Sequence, residues 1–121
     1  MIRVTKLEKS LHFYCQGLGL EVMRKEDHPE DRFTLVFLGT KANDSLLELT
    51  HNWDTHAYEK GNGYGHMAYQ VNSIDEVRKK LIQNGYDLSW GPGQTPNKKR
   101  KMAFVDDPDG YEIELLEGTS A

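Results

Sequence analysis

A single cysteine, Cys15, occurs among the 121 residues. That excludes an intrachain disulfide and a cysteine-built zinc site, and Cys15 itself reads as a core residue. No stretch approaches the roughly 20 consecutive apolar residues that cross a bilayer. Met1-Ile2-Arg3-Val4 carries neither the charged region nor the apolar run of a secretory leader. Positive charge is not in excess either. Fifteen Lys and Arg stand against 19 Asp and Glu, a formal net charge of −4, opposite in sign to a dedicated nucleic-acid binder. A local basic pocket for an acidic ligand remains open. The expectation is a soluble, cytoplasmic protein that engages neither membrane nor nucleic acid. What is present, 37% hydrophobic and 28% charged residues, suits one compact domain with a modest core.

The chain repeats itself. Thr5-Lys6-Leu7-Glu8 has the spacing of a capping box, and Leu7, Leu11 and Tyr14 follow at helical intervals until Gly17 and Gly19. Ser73-Ile74-Asp75-Glu76 repeats the device, with Ile74, Val77 and Leu81 as the apolar stripe and Gly85 as the stop. Strand-like runs precede the helices, Ile2 to Val4 and Met67 to Val71. Others follow them at Leu20–Arg24, Phe33–Leu38 and Ser45–Thr50, then at Tyr86–Ser89, Lys101–Asp106 and Tyr111–Leu116. Asp107-Pro108-Asp109-Gly110 reads as a turn. Each half is β-α-β-β-β, giving modules over 1–55 and 62–121 within one α+β domain. Val4 superposes on Val71 at an offset of 67, and Glu48-Leu49 on Glu114-Leu115 at 66. Two sheets with one-sided apolar faces must be covered, and pairing modules within or between chains does this.

Glu48 lies between Leu47 and Leu49, and Glu114 between Ile113 and Leu115. Alternation turns each away from its apolar neighbours. A lone strand glutamate reads first as exposed surface, but two repeat-equivalent carboxylates can converge on one cleft. Glu112 and Glu117 lack such equivalents and read as solvated. His66, in Gly63-Tyr64-Gly65-His66, opens the second module's first strand. A single histidine is more often structural than a ligand, yet imidazole beside carboxylates suits a divalent metal. If His66 is a ligand, its repeat counterpart falls just before Met1. Symmetry therefore expects two His and two Glu, with the first His upstream of the chain given. His12, His28 and His56 are weaker candidates, and His51 could approach the site. Lys98-Lys99-Arg100-Lys101 reads as a solvated loop, a nucleic-acid or nuclear-localisation patch, or a clamp for small carboxylates.

Taken together, these residues resemble glyoxalase I of the vicinal oxygen chelate superfamily, over nearly the whole chain. Glu48-Leu49-Thr50-His51-Asn52-Trp53 combined with Gly63-Tyr64-Gly65-His66 is the specific part, whereas the Asp-Pro-Asp-Gly turn is widespread in that superfamily. The resemblance implies a glyoxalase/bleomycin resistance/dioxygenase-like fold of two βαβββ modules, paired across a homodimer with active sites between subunits. It implies metal ligation by Glu48, His66 and Glu114, with Glu48 of one chain meeting the partner's His66 and the partner's Glu114. The family's first histidine falls two positions before Met1. Arg3 and Asn52 match glutathione-binding positions, and His66 also borders the substrate. The ion implied is nickel, with cobalt or zinc as alternatives. The implied reaction isomerises the methylglyoxal–glutathione hemithioacetal to S-D-lactoylglutathione through an enediolate, with Glu114 as base and Glu48 opposite it. Two other readings share the fold: a metal-free antibiotic-sequestering protein, and an iron dioxygenase with two His and one carboxylate. Two in-register glutamates and one in-register histidine count against the dioxygenase.

Overall fold

The structure, a computed structural model, describes residues 1–118; the last three positions of the module expected over 62–121 lie outside the described residues. The chain divides into two compact units with the boundary between Lys60 and Gly61. The first unit contains β1 (Ile2–Arg3), α1 (Leu7–Leu11), β2 (Glu21–His28), β3 (Phe33–Thr40) and β4 (Asn43–Asn52). Its sheet runs β1-β4-β3-β2. The second contains β5 (Met67–Val71), α2 (Ile74–Gln83), β6 (Trp90–Gln94), β7 (Lys101–Asp106) and β8 (Glu112–Glu117), ordered β5-β8-β7-β6. Each unit is β-α-β-β-β, in agreement with the repeat.

In both sheets the first strand pairs parallel to the last, and the remaining pairs are antiparallel. A parallel pair needs a long crossover, and each helix lies in one. Alternation then sorts the side chains. In the first unit Val36 pairs with Leu49 and Leu38 with Leu47, and all four are buried alongside Val4, Phe13 and Tyr14. In the second, Val105 pairs with Ile113 and Ala103 with Leu115. The fully buried Ile74 and Leu81 belong to α2, which packs on β7 and β8. The opposite face of each sheet carries the polar Glu48 and Glu114 opposite the aromatic Phe37 and Phe104, with aliphatic neighbours such as Leu35 and Leu116.

Four local expectations need correction. Thr5 does not occupy the cap position of α1; the N-cap is Lys6, in extended conformation and without a side-chain cap bond. This helix also widens after Leu11 into a π-helical segment, His12–Gly17, so the chain reaches Gly19 (φ 83°) by a different winding from that of α2. The strand expected at Tyr86–Ser89 lies instead at Trp90–Gln94. The Tyr86 N–H donates to the Leu81 carbonyl (2.8 Å) and closes the helix end, where Gly85 holds φ at 91°. Trp-Gly-Pro-Gly resembles a turn, but β6 is an edge strand with a register shift between Trp90 and Gly93, where a missing proline N–H is tolerated. Cys15 is half-buried rather than core, and burial pushes its thiol upward, which keeps it protonated and unreactive near neutrality. Finally, Glu117 is not merely solvated: its carboxylate accepts from the Ile74 N–H at 2.9 Å.

The start of α2 is thus held twice, by Glu117 and by the Ser73 hydroxyl accepting from the Glu76 N–H at 3.2 Å. Replacing an N-cap serine with alanine costs about 1 kcal/mol. Ser73→Ala is expected to lower unfolding free energy by about that amount in urea titrations, with the slope against denaturant unchanged.

Candidate active site

The chemistry-bearing residues of the second unit sit on the sheet face turned away from α2. The turn at 107–110 sets them up. The buried Asp107 carboxylate accepts from the Asp109 and Tyr111 N–H groups (both 2.9 Å), and Gly110 takes φ 82°. This fixes where β8 begins, and alternation then puts Ile113 and Leu115 inward and Glu112 and Glu114 outward. In the neighbouring parallel strand Met67 lies level with Ile113, so His66 just precedes the ladder beside these glutamates. His66 Nε2 stands 3.3 Å from Glu114 Oε1, and His66 Nδ1 stands 3.9 Å from Glu112 Oε1. The Tyr64 hydroxyl donates to the Glu112 carbonyl at 3.1 Å and ties the approach to β5 to the same strand. The Glu114 side chain is 16% exposed and that of His66 42%, so the carboxylate is shielded while the imidazole borders solvent.

In the first unit the β1–β4 ladder pairs Ile2 with Leu49 and Arg3 with Thr50. Directly paired residues share a face, so Arg3, Glu48, Thr50 and Asn52 all lie on the side opposite Leu47 and Leu49. Glu48 is half-buried and its Oε2 accepts from the Thr50 hydroxyl at 3.4 Å. The Asn52 side-chain nitrogen donates to the Tyr58 hydroxyl at 2.9 Å. His51 has the other parity, and its Nδ1 lies 3.3 Å from the Val4 carbonyl. It belongs to the buried side and does not join Glu48. His28 stacks on Phe33 and approaches Glu26 (3.3 Å), while His12 and His56 are exposed. The structure therefore gathers Arg3, Glu48 and Asn52 on one face in the first unit, and His66 and Glu114 in the second.

The equivalence of the two faces includes a partner that the sequence reading passed over. Glu48 is paired with Phe37 on β3, and Glu114 with Phe104 on β7. The two phenylalanines are 67 apart, the spacing that relates Val4 to Val71. Phe104 meets His66 edge-on, with ring centroids 5.5 Å apart. Glu112 was equally unforeseen as a neighbour of His66. Alternation places it on the Glu114 side, a signal present in the sequence.

The donor set suits a divalent ion. Two ligands bound at about 2.0–2.2 Å to one ion stand about 3 Å apart, close to the separation between His66 Nε2 and Glu114 Oε1. Imidazole nitrogen with carboxylate oxygen is compatible with nickel, cobalt, zinc or iron. Among the described residues no group of three or more His, Cys, Asp or Glu side chains converges on a single point. Of the basic loop, Arg100 donates to the Glu117 carbonyl (3.3 Å) and to that of Gly118, and Lys101 pairs with Asp75 (3.4 Å). Two of its four cations thus have partners within the unit, which weakens its reading as a nucleic-acid patch. The loop, with Pro92, Gly93 and Gln94, lines an open pocket of about 380 Å³.

A profile of the Glyoxalase/Bleomycin resistance protein/Dioxygenase superfamily matches residues 1–115. The probable lactoylglutathione lyase of Synechocystis sp. is 44% identical over 99% of this chain and 93% of its own length. Among solved structures, the trypanothione-dependent glyoxalase I of Leishmania major is 40% identical, with a TM-score of 0.80 over 97% of this chain and 82% of that one. Glyoxalase I from Zea mays superposes with a TM-score of 0.88 at 29% identity over 98% of this chain. The chain spans 43% of the maize polypeptide.

The end of β4 is clamped beside Asn52. The Arg32 guanidinium makes two hydrogen bonds to Asp54 (2.6 and 2.7 Å) and lies 5.5 Å from the Trp53 ring. Arg32 holds the Asp54 carboxyl below the ordinary carboxylate range. Such a depressed group adds stability above its unfolded pKa and loses it as pH falls through the folded one. Carboxyl-carbon NMR of Arg32→Gln is expected to show Asp54 titrating at higher pH than in the parent, closer to an ordinary carboxylate. An unmoved titration would mean that Arg32 is not the cause.

Proposed function

The chain belongs to the Glyoxalase/Bleomycin resistance protein/Dioxygenase superfamily, and we propose that it works there as a lactoylglutathione lyase. Its substrate is the hemithioacetal that glutathione forms with methylglyoxal, and its product is S-D-lactoylglutathione. The observation that carries this reading is the pairing of His66 Nε2 with Glu114 Oε1 at 3.3 Å on adjacent strands, in a chain whose near-full-length relatives bear that name.

Glu48, His66 and Glu114 are the proposed metal-holding side chains, and nickel the proposed ion, with cobalt or zinc as alternatives. When bound, such an ion supplies Lewis-acid stabilisation of negative charge on two neighbouring oxygens. The protein's own groups handle the proton. Glu114 takes it from C1 of the hemithioacetal, and the electron pair left behind spreads over C1, C2 and their oxygens. A proton returns at C2, from Glu114 or from Glu48 on the opposite face, the C1 hydroxyl proton passes to the C2 oxygen, and sulfur stays on C1. No atom is gained or lost.

Arg3 would hold a glutathione carboxylate through its forked donors. Asn52 spends its nitrogen on Tyr58, which leaves its carbonyl oxygen to accept from a peptide N–H. We assign the chain a cytoplasmic location, the compartment in which a thiol adduct of this kind is kept supplied. We also read it as a homodimer in which Glu48 of one subunit meets the partner's His66 and the partner's Glu114. Support comes from the two sheets presenting equivalent glutamates opposite equivalent phenylalanines.

Glu114→Gln is expected to lower turnover by about 10²- to 10⁴-fold while its circular-dichroism melt stays near the parent's. Near-normal turnover would refute the role. Shared sites make a sharper demand. Glu48→Gln and Glu114→Gln homodimers should each be inactive, yet subunits mixed at random should recover roughly a quarter of parental activity, since about half the dimers then hold one intact site of two. No recovery on mixing would place each site within a single chain.

A further inference from the structure

The face that bears His66 and Glu114 continues into an aromatic row. Register places Trp90 opposite Phe104 and Phe104 opposite Glu114, across β6, β7 and β8. The rings follow suit. His66 meets Phe104 edge-on at 5.5 Å, and Phe104 meets Trp90 at 6.0 Å with planes inclined by 65°. The indole is not a loose edge side chain. It lies against Gly93, where an added Cβ would come within 2.5 Å of Trp90 Cη2, so only glycine leaves room for the ring. Yet Trp90 remains 50% exposed. A large apolar ring fixed underneath and open above, continuous with the donor pair, is arranged for contact with a ligand.

The first unit differs at the equivalent place. There the row is Glu48, Phe37 and Arg24, and the guanidinium of Arg24 lies 4.1 Å over the Phe37 ring while its Nε pairs with Glu26 at 2.8 Å. One row ends in a cation and the other in an indole, so the repeat does not explain Trp90.

Distance suggests what Trp90 touches. Neighbouring strands lie about 4.8 Å apart, so the Trp90 backbone is roughly 10 Å from that of Glu114. A methyl group on a carbon held at Glu114 extends only about 1.5 Å and reaches Phe104 at most. A phenyl substituent extends far enough to meet the indole. Resting on the lyase reading above, we infer that Trp90 is a specificity-determining residue that seats the aldehyde-derived substituent of the hemithioacetal and favours aromatic 2-oxoaldehydes. Phe104 forms the near wall of that seat and Gly93 its floor.

The test compares kcat/KM for the phenylglyoxal and methylglyoxal adducts of glutathione in the parent, Trp90→Ala and Trp90→Phe. The ratio of phenyl to methyl adduct is expected to fall about tenfold in Trp90→Ala, chiefly through KM, and to be largely restored in Trp90→Phe. An unchanged ratio, whether both values hold or both drop together, would overturn the inference. Parent protein inactive on both adducts would instead refute the lyase reading. Trp90 would then be judged by fluorescence in a Trp53→Phe background: quenching by S-benzylglutathione but not S-methylglutathione supports the seat, and equal responses overturn it.

Discussion

The proposed chemistry of the second unit depends on a parallel strand pair. The β5–β8 ladder sets Met67 level with Ile113, and that register brings an imidazole from the approach to one strand within 3.3 Å of a carboxylate on the other. A slip of one residue would turn Glu114 into the packed layer and Ile113 onto the open face. Register is protected from both ends. Asp107 folds the 107–110 turn around its own carboxylate, and Ile113 and Leu115 are fully buried, so a slip would expose them. Burial of the apolar side of β8 thereby fixes the chemistry on its other side.

The duplicated sheets carry the same backbone pattern with different side chains. Both rows hold a glutamate opposite a phenylalanine, and both first strands run parallel to the last. What differs is what each row adds: Arg3 and Asn52 in the first unit, which the proposed function gives to the polar and anionic groups of a thiol conjugate, and His66, Phe104 and Trp90 in the second, which it gives to an ion and an apolar substituent. The first unit also invests in rigidity around Asn52, where Trp53 donates to Thr34 (2.9 Å) and Thr34 to Asp27 (2.7 Å). Backbone equivalence gives each unit a glutamate at the same register position, and side-chain divergence makes the two faces unlike.

Much of this was legible before any coordinates. Period-2 alternation placed Glu48 and Glu114 outward, and the offsets of 66 and 67 paired them, because side-chain direction in a strand follows from sequence position alone. The Asp107–Gly110 turn and the Ser73 cap were readable for the same local reason. The illegible parts depended on competition between neighbours. Tyr86 went to the end of α2, where its N–H shares the Leu81 carbonyl with that of Asn84, and Trp-Gly-Pro-Gly became a strand because β7 offered an edge. Thr5 lost the cap position to Lys6, which takes the extended conformation directly before Leu7. The phenylalanines opposite the glutamates required cross-strand register, which alternation within one strand does not contain.

The proposed site requires that His66 and Glu114 be two donors to one ion. Calorimetric titration of metal-free protein with Ni²⁺ tests it most directly, using the parent, His66→Ala and Glu114→Gln. Stoichiometric binding by the parent is expected, with at least about 10- to 100-fold weaker binding by each variant, since even indirect supports of a metal site cost that much. Parental affinity retained in both variants would contradict it.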